Sequence, residues 1–584
     1  MAAFTDVRSW VSAFSLPGSS TPRDGVRGAC VTLRLAGLVV ARESVTADSA
    51  AHALAARSAL DAAKARLGDN PDDPITAIGP RLAISLELAD ALVPLALSTY
   101  AAADAQVRPG LEGVAARKGD RVLAMFPEEL MLSGSTPSTA LGVLAARIAD
   151  DPTLAVTSDP RMQPPQLDRL HGITFARFHV THLVQTAPDA PAQFVRRLNT
   201  DVGANEIGMS SIRSLGDATC EHLTKRLAAH DTPSLLLPAR EAGTSSDSAA
   251  SLAEQSIAAM ALCRWARAGD AERQHAVLAR VDAWWNHIAG SLGPDSTLQP
   301  FDAATATIAA LDLADLASRT GDAKAATTFN TTAAALVPRI LAATDRADRG
   351  QFVADTPVHH RALIAYALAR LLHANIAAIQ PAEQLSRDSV ASLHRSIYRD
   401  TPGGELVAHM PWLGWTELLL ADKDQSIAAA QALRDLRDRV RTHTLRAEDL
   451  DDADTDFAGG IVFTLGSVPL PTAQSFRAAA FVATMAGDPR LTTDSESPLA
   501  LSLSLSHVRF VAQLAWDGPS LAFSRNPDRD RGGVRLAPWD PRLSIDAGSM
   551  ALLTLCETRD SIERIGARAT KRQEHQETPG APAK

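Results

Sequence analysis

Between about residues 251 and 564 the chain alternates two kinds of helical segment. Segments 251–268, 302–320, 357–374, 412–421 and 472–485 are built mainly from small and apolar residues. After a short turn each is followed by a return segment, at 271–288, 323–344, 382–399, 425–441 and 498–516, and a last segment at 546–564 closes the series. An alanine-rich helix is thin enough to sit among neighbours, whereas a charged return helix faces water. The unit repeats every 45 to 60 residues or so, the range of solenoids and closed arrays. A ring of parallel inner helices, an α/α toroid, is predicted in preference to a tetratricopeptide superhelix, whose period of about 34 residues does not fit.

Residues 1–186 have another texture. Val31, Leu33 and Leu35 alternate with other residues, Gly37 marks a turn, and a second apolar run follows, which predicts a β-hairpin. A helix is expected over 49–67, with Ala53, Leu54, Leu60, Ala63 and Leu67 on one stripe, and a second over 138–149. Strands are expected at 81–86, 111–117, 121–126 and 175–184, with Lys118-Gly119-Asp120 as a tight turn. Prolines 188, 191, 233 and 238 and the polar stretch 243–248 mark 187–250 as a connecting arm carrying a helix at 212–230. Residues 567–584, polar and with Pro579 and Pro582, read as a disordered tail. The expected architecture is therefore multidomain: a small α/β domain (1–186), an arm (187–250), a mainly α toroid (251–566) and a tail (567–584).

A length of 584 residues exceeds one ordinary core, in keeping with that division. Aromatic residues are only 4%, with three tyrosines, so the cores must rest on Ala, Leu, Val and Ile. The formal charge of −10 and the lack of a basic run argue against nucleic acid as a partner. Cys30, Cys220, Cys263 and Cys556 lie far apart, with no C-x-x-C pair, which suits a reducing cytoplasm and argues against a disulfide framework or zinc knuckle. No run approaches the ~18 apolar residues of a membrane span, and MAAFTDVRSW lacks the basic and apolar regions of a signal peptide. Dinucleotide, P-loop and zincin motifs are absent, so no cofactor and no metal are predicted. The oligomeric state is left open.

GACVTLRLAGLVVA at 28–41 and GLEGVAARKGDRVLAMFPEE at 110–129 resemble two hairpins of the AMMECR family, a likeness that covers about 26–183. The family's Leu-Arg-Gly-Cys-Ile-Gly segment is replaced here by Leu38-Val-Val-Ala-Arg-Glu43, without the cysteine or the glycine pair. The resemblance implies a fold and no chemistry. The helical region resembles the six-hairpin α/α toroids shared by glycosidases, sugar epimerases and terpenoid cyclases, on repeat texture alone, which leaves function unspecified.

In such a toroid the inner helices start at one end, and their positive N-termini converge on one mouth. That places Asp302, Asp355, Asp452 and Asp546 as candidate proton-transfer carboxylates, with His359, Arg361, Trp412, Trp415, Glu417 and Gln474 as candidate ligand contacts. Paired acids and aromatic faces are what sugar chemistry uses. Helix capping is the competing role for Asp302, Asp355 and Asp546. Asp449-Leu450-Asp451-Asp452 matches the Asp-x-Asp-Asp proton donor of class II terpenoid cyclases, although the chain is poor in the aromatics that stabilise carbocations. Asp452, Asp454 and Asp456 copy the first ligands of an EF-hand loop, but Phe457 and Phe463 stand where glycine and glutamate are required. The expected function is binding of a saccharide-type or other polar small molecule at the mouth, with hydrolysis or epimerisation as its chemistry. The alternatives are a non-catalytic scaffold and a class II cyclase-like enzyme.

Overall fold

The computed structural model describes residues 1–15, 25–46, 50–68, 75–227, 233–238, 249–292, 297–376, 386–421, 427–463 and 470–577. The polar stretch 243–248 lies outside them. The N-terminal part is an antiparallel sheet built from β1 (Gly28–Leu35), β2 (Leu38–Thr46), β3 (Leu82–Ala89), β4 (Val93–Pro94), β5 (Glu112–Lys118), β6 (Arg121–Met125), β7 (Ile173–Val184) and β8 (Gln193–Val195). Its order is β2-β1-β3-β7-β5-β6, with β4 and β8 also paired to β7. The β1–β2 hairpin turns at Ala36 and Gly37, both at positive φ (49° and 82°). Glycine takes that conformation without steric cost.

Strand periodicity gives the sheet two different faces. Val31, Leu33, Ile84, Leu86 and Leu183 share a core with helices Ala2–Ala13 and Ala51–Leu67. On the opposite face the register sets Thr32 beside both Arg42 and Ser85, and Glu87 beside His182. Helix Pro127–Ser133 and the 3₁₀ segment Gly518–Phe523 lie over this polar face, bringing Glu128 and Phe523 to it.

The rest of the described chain is mainly helical. Leu252–Ala266 packs on Pro300–Arg319, that helix on Val358–His373, and the series continues through Trp412–Leu420, Ser475–Gly487 and Ile545–Glu577. The last of these packs back on the first. Starts meet starts, because Phe301 stacks on His360 and Arg477 pairs with Asp546. Farther along the helices, Arg267 reaches Asp315 and Thr484 reaches Glu557. Leu252–Ala266, Pro300–Arg319 and Val358–His373 therefore run in one direction, and Ser475–Gly487 runs with Ile545–Glu577. Pro300–Arg319 buries fourteen of its twenty residues, seven of them alanine, as a helix enclosed on nearly all sides must.

Met209–Leu227, Ala271–Ile288, Ala323–Leu341, Arg387–Asp400, Ala430–His443 and Ser497–Leu514 each lie against members of that set. Arg387–Asp400 buries one stripe, through Val390, Leu393 and Ile397, whereas Met209–Leu227 and Ser497–Leu514 are buried on most sides of their second halves. Close approach fixes two glycines. A Cβ on Gly216 would stand 2.2 Å from the Trp265 ring, and one on Gly459 (φ 86°) only 1.8 Å from the Ser506 carbonyl oxygen.

Three boundaries differ from the sequence expectation. The sheet extends past 186 to β8, whose three residues lie between prolines and a turn and are too few to show a period. The arm's helix, Met209–Leu227, joins the helical layers through Leu252–Ala266 and Ile545–Glu577. Residues 567–577, expected to be disordered, continue the final helix, since Ala, Arg, Lys, Gln and Glu are strong helix formers despite their polarity. No helix among the described residues is long and apolar enough to cross a membrane.

Candidate functional site

The residues singled out from sequence fall in three places. Around the starts of the six helices, Asp302 is half-buried and loss of solvent raises its carboxyl above the ordinary value. Asp355 is exposed, and so is His359, whose ring lies 4.2 Å from that of His360. Arg361 is engaged structurally: it donates to the Thr356 carbonyl oxygen at 3.2 Å and lies over Phe352 at 5.4 Å. Asp546 accepts from Arg477 at 2.9 and 3.1 Å. Asp546 and Gln474 do meet, in a cleft of about 290 Å³ that Trp539 and Asp540 also line.

The acidic run lies elsewhere. Asp449, Asp451 and Asp452 are exposed, and Asp451 pairs with Arg108 at 3.3 Å. An alkene-protonating acid must instead be held neutral in an apolar cavity. Asp454 (2.6 Å) and Asp456 receive the buried Arg197 guanidinium, which also lies 4.1 Å above the Phe457 ring. The run thus anchors the segment after β8 onto the helical part. Among the described residues, no group of three or more His, Cys, Asp or Glu is placed to hold a metal ion.

Trp412, Trp415 and Glu417 belong to the interior. Glu417 is buried, 3.1 Å from His394. Trp412 and Trp415 both pack against Tyr366 at 5.6 Å. Trp415 leads to a site that the sequence did not suggest, towards the ends of the six helices. The Arg264 guanidinium lies 4.4 Å above the Trp415 ring and donates to Tyr366 Oη. Arg264 also faces Asp312 at 3.4 Å and Glu557 at 3.8 Å. Asp312 is fully buried and further receives Arg267 and, at 3.1 Å, Arg370.

The two carboxyls on Arg264 are driven in opposite directions. Burial acts to raise the Asp312 carboxyl, but the fields of Arg370, Arg267 and Arg264 overcome it and hold the group well below the ordinary carboxylate range. Burial dominates at Glu557, and Asp560 adds to it, so this carboxyl is raised despite Arg264. Thr484 links this carboxyl to Trp415. Thr484 Oγ1 has one proton and two acceptor sites. It receives Trp415 Nε1 at 2.8 Å and lies 2.9 Å from the Ala480 carbonyl oxygen, which can only accept. That single proton is shared between the Ala480 oxygen and Glu557 Oε2 at 3.0 Å, and the bond from Thr484 acts to lower the Glu557 carboxyl against the burial that raises it. Glu557 lies on a cleft of about 590 Å³, walled by Arg264, Arg267, Arg319, Arg559 and Arg564.

These residues were missed because each looks ordinary in its own helix. Arg264, Arg319 and Arg370 stand where basic residues complement a helix C-terminus. The available signal was Asp312, a charge in the middle of an otherwise enclosed, alanine-rich helix.

A second buried cluster occupies the polar face of the sheet. Glu128 receives Arg34 (2.6 Å), Arg42 (3.2 Å) and Ser85 (2.6 Å), and Ser85 Oγ lies 2.6 Å from His182 Nε2. His182 Nε2 is itself 3.2 Å from Glu128, so serine and carboxylate meet the same ring nitrogen. A catalytic triad needs them on opposite nitrogens. Glu87 holds Arg42 at 3.2 Å and accepts the Glu128 amide at 2.9 Å. Phe523, 5.6 Å from the His182 ring and 5.2 Å from the Arg34 guanidinium, packs against the cluster from the helical part.

No protein-family model matches the sequence, and no curated protein matches it. Among solved structures, an uncharacterised protein of Pyrococcus horikoshii is 13% identical, over 33% of this chain and 93% of that one, with a TM-score of 0.24. At that score the likeness carries no argument.

Proposed function

We propose that the six mutually packed helices and their six covering helices form an α/α toroid of the six-hairpin kind, joined to an AMMECR-like domain. In this reading Met209–Leu227 supplies the sixth outer helix, and the toroid binds a saccharide-type or other polar small molecule. The ligand occupies the arginine-walled cleft where the inner helices end, with Glu557 as its proton-donating group. The observation that carries the proposal is the pair Asp312 and Glu557, both facing Arg264, whose carboxyls are pushed in opposite directions beside the arginine-walled cleft. Acid–base sites separate paired carboxyls in this way. Hydrolysis or epimerisation of a sugar-type substrate is the chemistry such an acid serves.

The test is a thermal-shift series with neutral sugars, sugar acids and sugar phosphates. A ligand in this cleft raises the melting temperature of the wild type, and Trp415→Ala or Arg264→Ala removes the rise. Uniform silence across the series, or a rise insensitive to both substitutions, would contradict the proposal.

The mouth at the helix starts remains a second reading, favoured by the cleft that brings together Gln474, Asp546 and Trp539. For that reading, Gln474→Ala rather than Arg264→Ala removes the shift.

A further inference from the structure

The final helix gives the arginine-walled cleft its shape. Ile545–Glu577 has 33 residues, about 50 Å at 1.5 Å per residue, whereas Pro300–Arg319 has 20 and Trp412–Leu420 has 9. Its later turns line the cleft with one face, through Asp560, Glu563, Arg564 and Ala567, spaced by three, one and three residues.

The charges in this cleft are unevenly engaged. Arg264 and Arg267 are held by Asp312, with Asp315 also on Arg267. Arg559 pairs with Asp560 at 2.8 Å and lies 4.6 Å above the Trp265 ring. Glu563 faces Arg213 at 4.0 Å, on the side of Met209–Leu227. Arg319 and Arg564 also line the cleft, are exposed, and make no hydrogen bond or ion pair among the described residues. Arg319 stands in the last turn of its helix, where a cation complements the dipole by about 0.3–1 kcal/mol. Arg564 has no such role, because its helix continues for another thirteen residues.

We propose that this cleft takes a phosphate- or carboxylate-bearing small molecule, its anionic group held by Arg319 and Arg564. The inference rests on the cleft being the ligand site, as set out above. It adds the charge of the ligand. Planar guanidinium groups suit the paired oxygens of either anion, and these two are held by no hydrogen bond or ion pair among the described residues, although Arg564 feels the charges of Asp488 and Glu557.

Calorimetric titration of the full chain with inorganic phosphate, acetate and glucose tests the inference. Phosphate or acetate binds the wild type, and the double variant Arg319→Ala/Arg564→Ala binds it about tenfold or more weakly. Arg395→Ala, on an exposed arginine that does not line the cleft, binds as the wild type does. Preference for phosphate assigns a phosphorylated ligand and preference for acetate a carboxylated one, and both support the proposal. Equal anion affinity in wild type and double variant overturns it. Binding of glucose alone overturns the anionic class while leaving the cleft as the site. No binding of any probe by wild type that melts cooperatively overturns the proposal together with the reading beneath it. Both arginines are exposed, so the double variant is expected to fold, and its melting curve verifies that.

Discussion

The molecule contains two buried arginine–carboxylate clusters that differ in what they leave over. In the sheet, Glu128 and Glu87 face Arg34, Arg42, Ser85 and His182, and every one of these side chains makes a close polar contact within the cluster. Phe523 packs over the Arg34 side, and Arg42 alone reaches a smaller cleft of about 300 Å³. In the helical part, Asp312 is equally surrounded, but Glu557 beside it has few partners and lines a cleft about twice as large. Burial of charge alone therefore does not distinguish a site from structural cement. The size of the adjoining cleft and the arginines that wall it separate the two.

The largest expected effects break either cluster. Asp312→Ala removes the buried carboxylate that Arg264, Arg267 and Arg370 share, leaving Asp315 and Glu557 as their acidic neighbours, and Glu128→Ala strips Arg34 of its carboxylate and leaves Arg42 with Glu87. Each is expected to cost about 3–5 kcal/mol in urea denaturation, the range for removing one partner of a buried pair. The clusters then separate on ligand: Asp312→Ala also abolishes the phosphate response, whereas Glu128→Ala leaves it intact in the folded fraction. Equal loss in both would erase the distinction.

Phe523→Ala comes next. Phe523 is 3% exposed and packs with Met131, Val184 and Trp516, so its truncation is expected to cost about 3 kcal/mol. Its effect falls on the junction between the sheet and the helical part. Limited proteolysis between the two should accelerate while phosphate binding persists.

Much of this arrangement was legible in the sequence. The hairpin at Gly37, the turn at Gly119 and the alternation of enclosed and water-facing helices follow from period and turn chemistry, which are local. The clusters were not legible, because they are assembled across elements. Arg42 meets Glu87 and Glu128 only through sheet register and a helix start 86 residues away. Trp415, expected near a mouth, lies in a helix of nine residues, so one turn inward already reaches Arg264. Asp452 and its neighbours suggested chemistry through their spacing, yet the spacing serves Arg197 and Arg108.

A smaller effect concerns pH, and its sign differs between the two carboxyls of the helical cluster. Asp312 is held below its ordinary 3.8, so its contribution is present above that value and is lost as pH falls through its folded value. Glu557 is held above its ordinary 4.5, so its contribution is present below that value and is lost as pH rises through its folded value. Glu557→Gln, which mimics the neutral acid, should therefore match the wild type below pH 4.5 and become the more stable protein above it, in melting curves taken across the range. The smallest effect belongs to Asp355→Asn. It is exposed, and its removal should change stability by less than about 0.5 kcal/mol and leave phosphate binding unaltered.

The protonation of Glu557 is the most direct test of the difference between the two clusters. Infrared difference spectra between the wild type and Glu557→Gln, titrated upward from pH 4.5, isolate this one carboxyl. A protonated-acid carbonyl band that persists above 4.5 and shifts when phosphate is added is the predicted result. A carboxylate band already present at 4.5 and indifferent to phosphate would contradict the account.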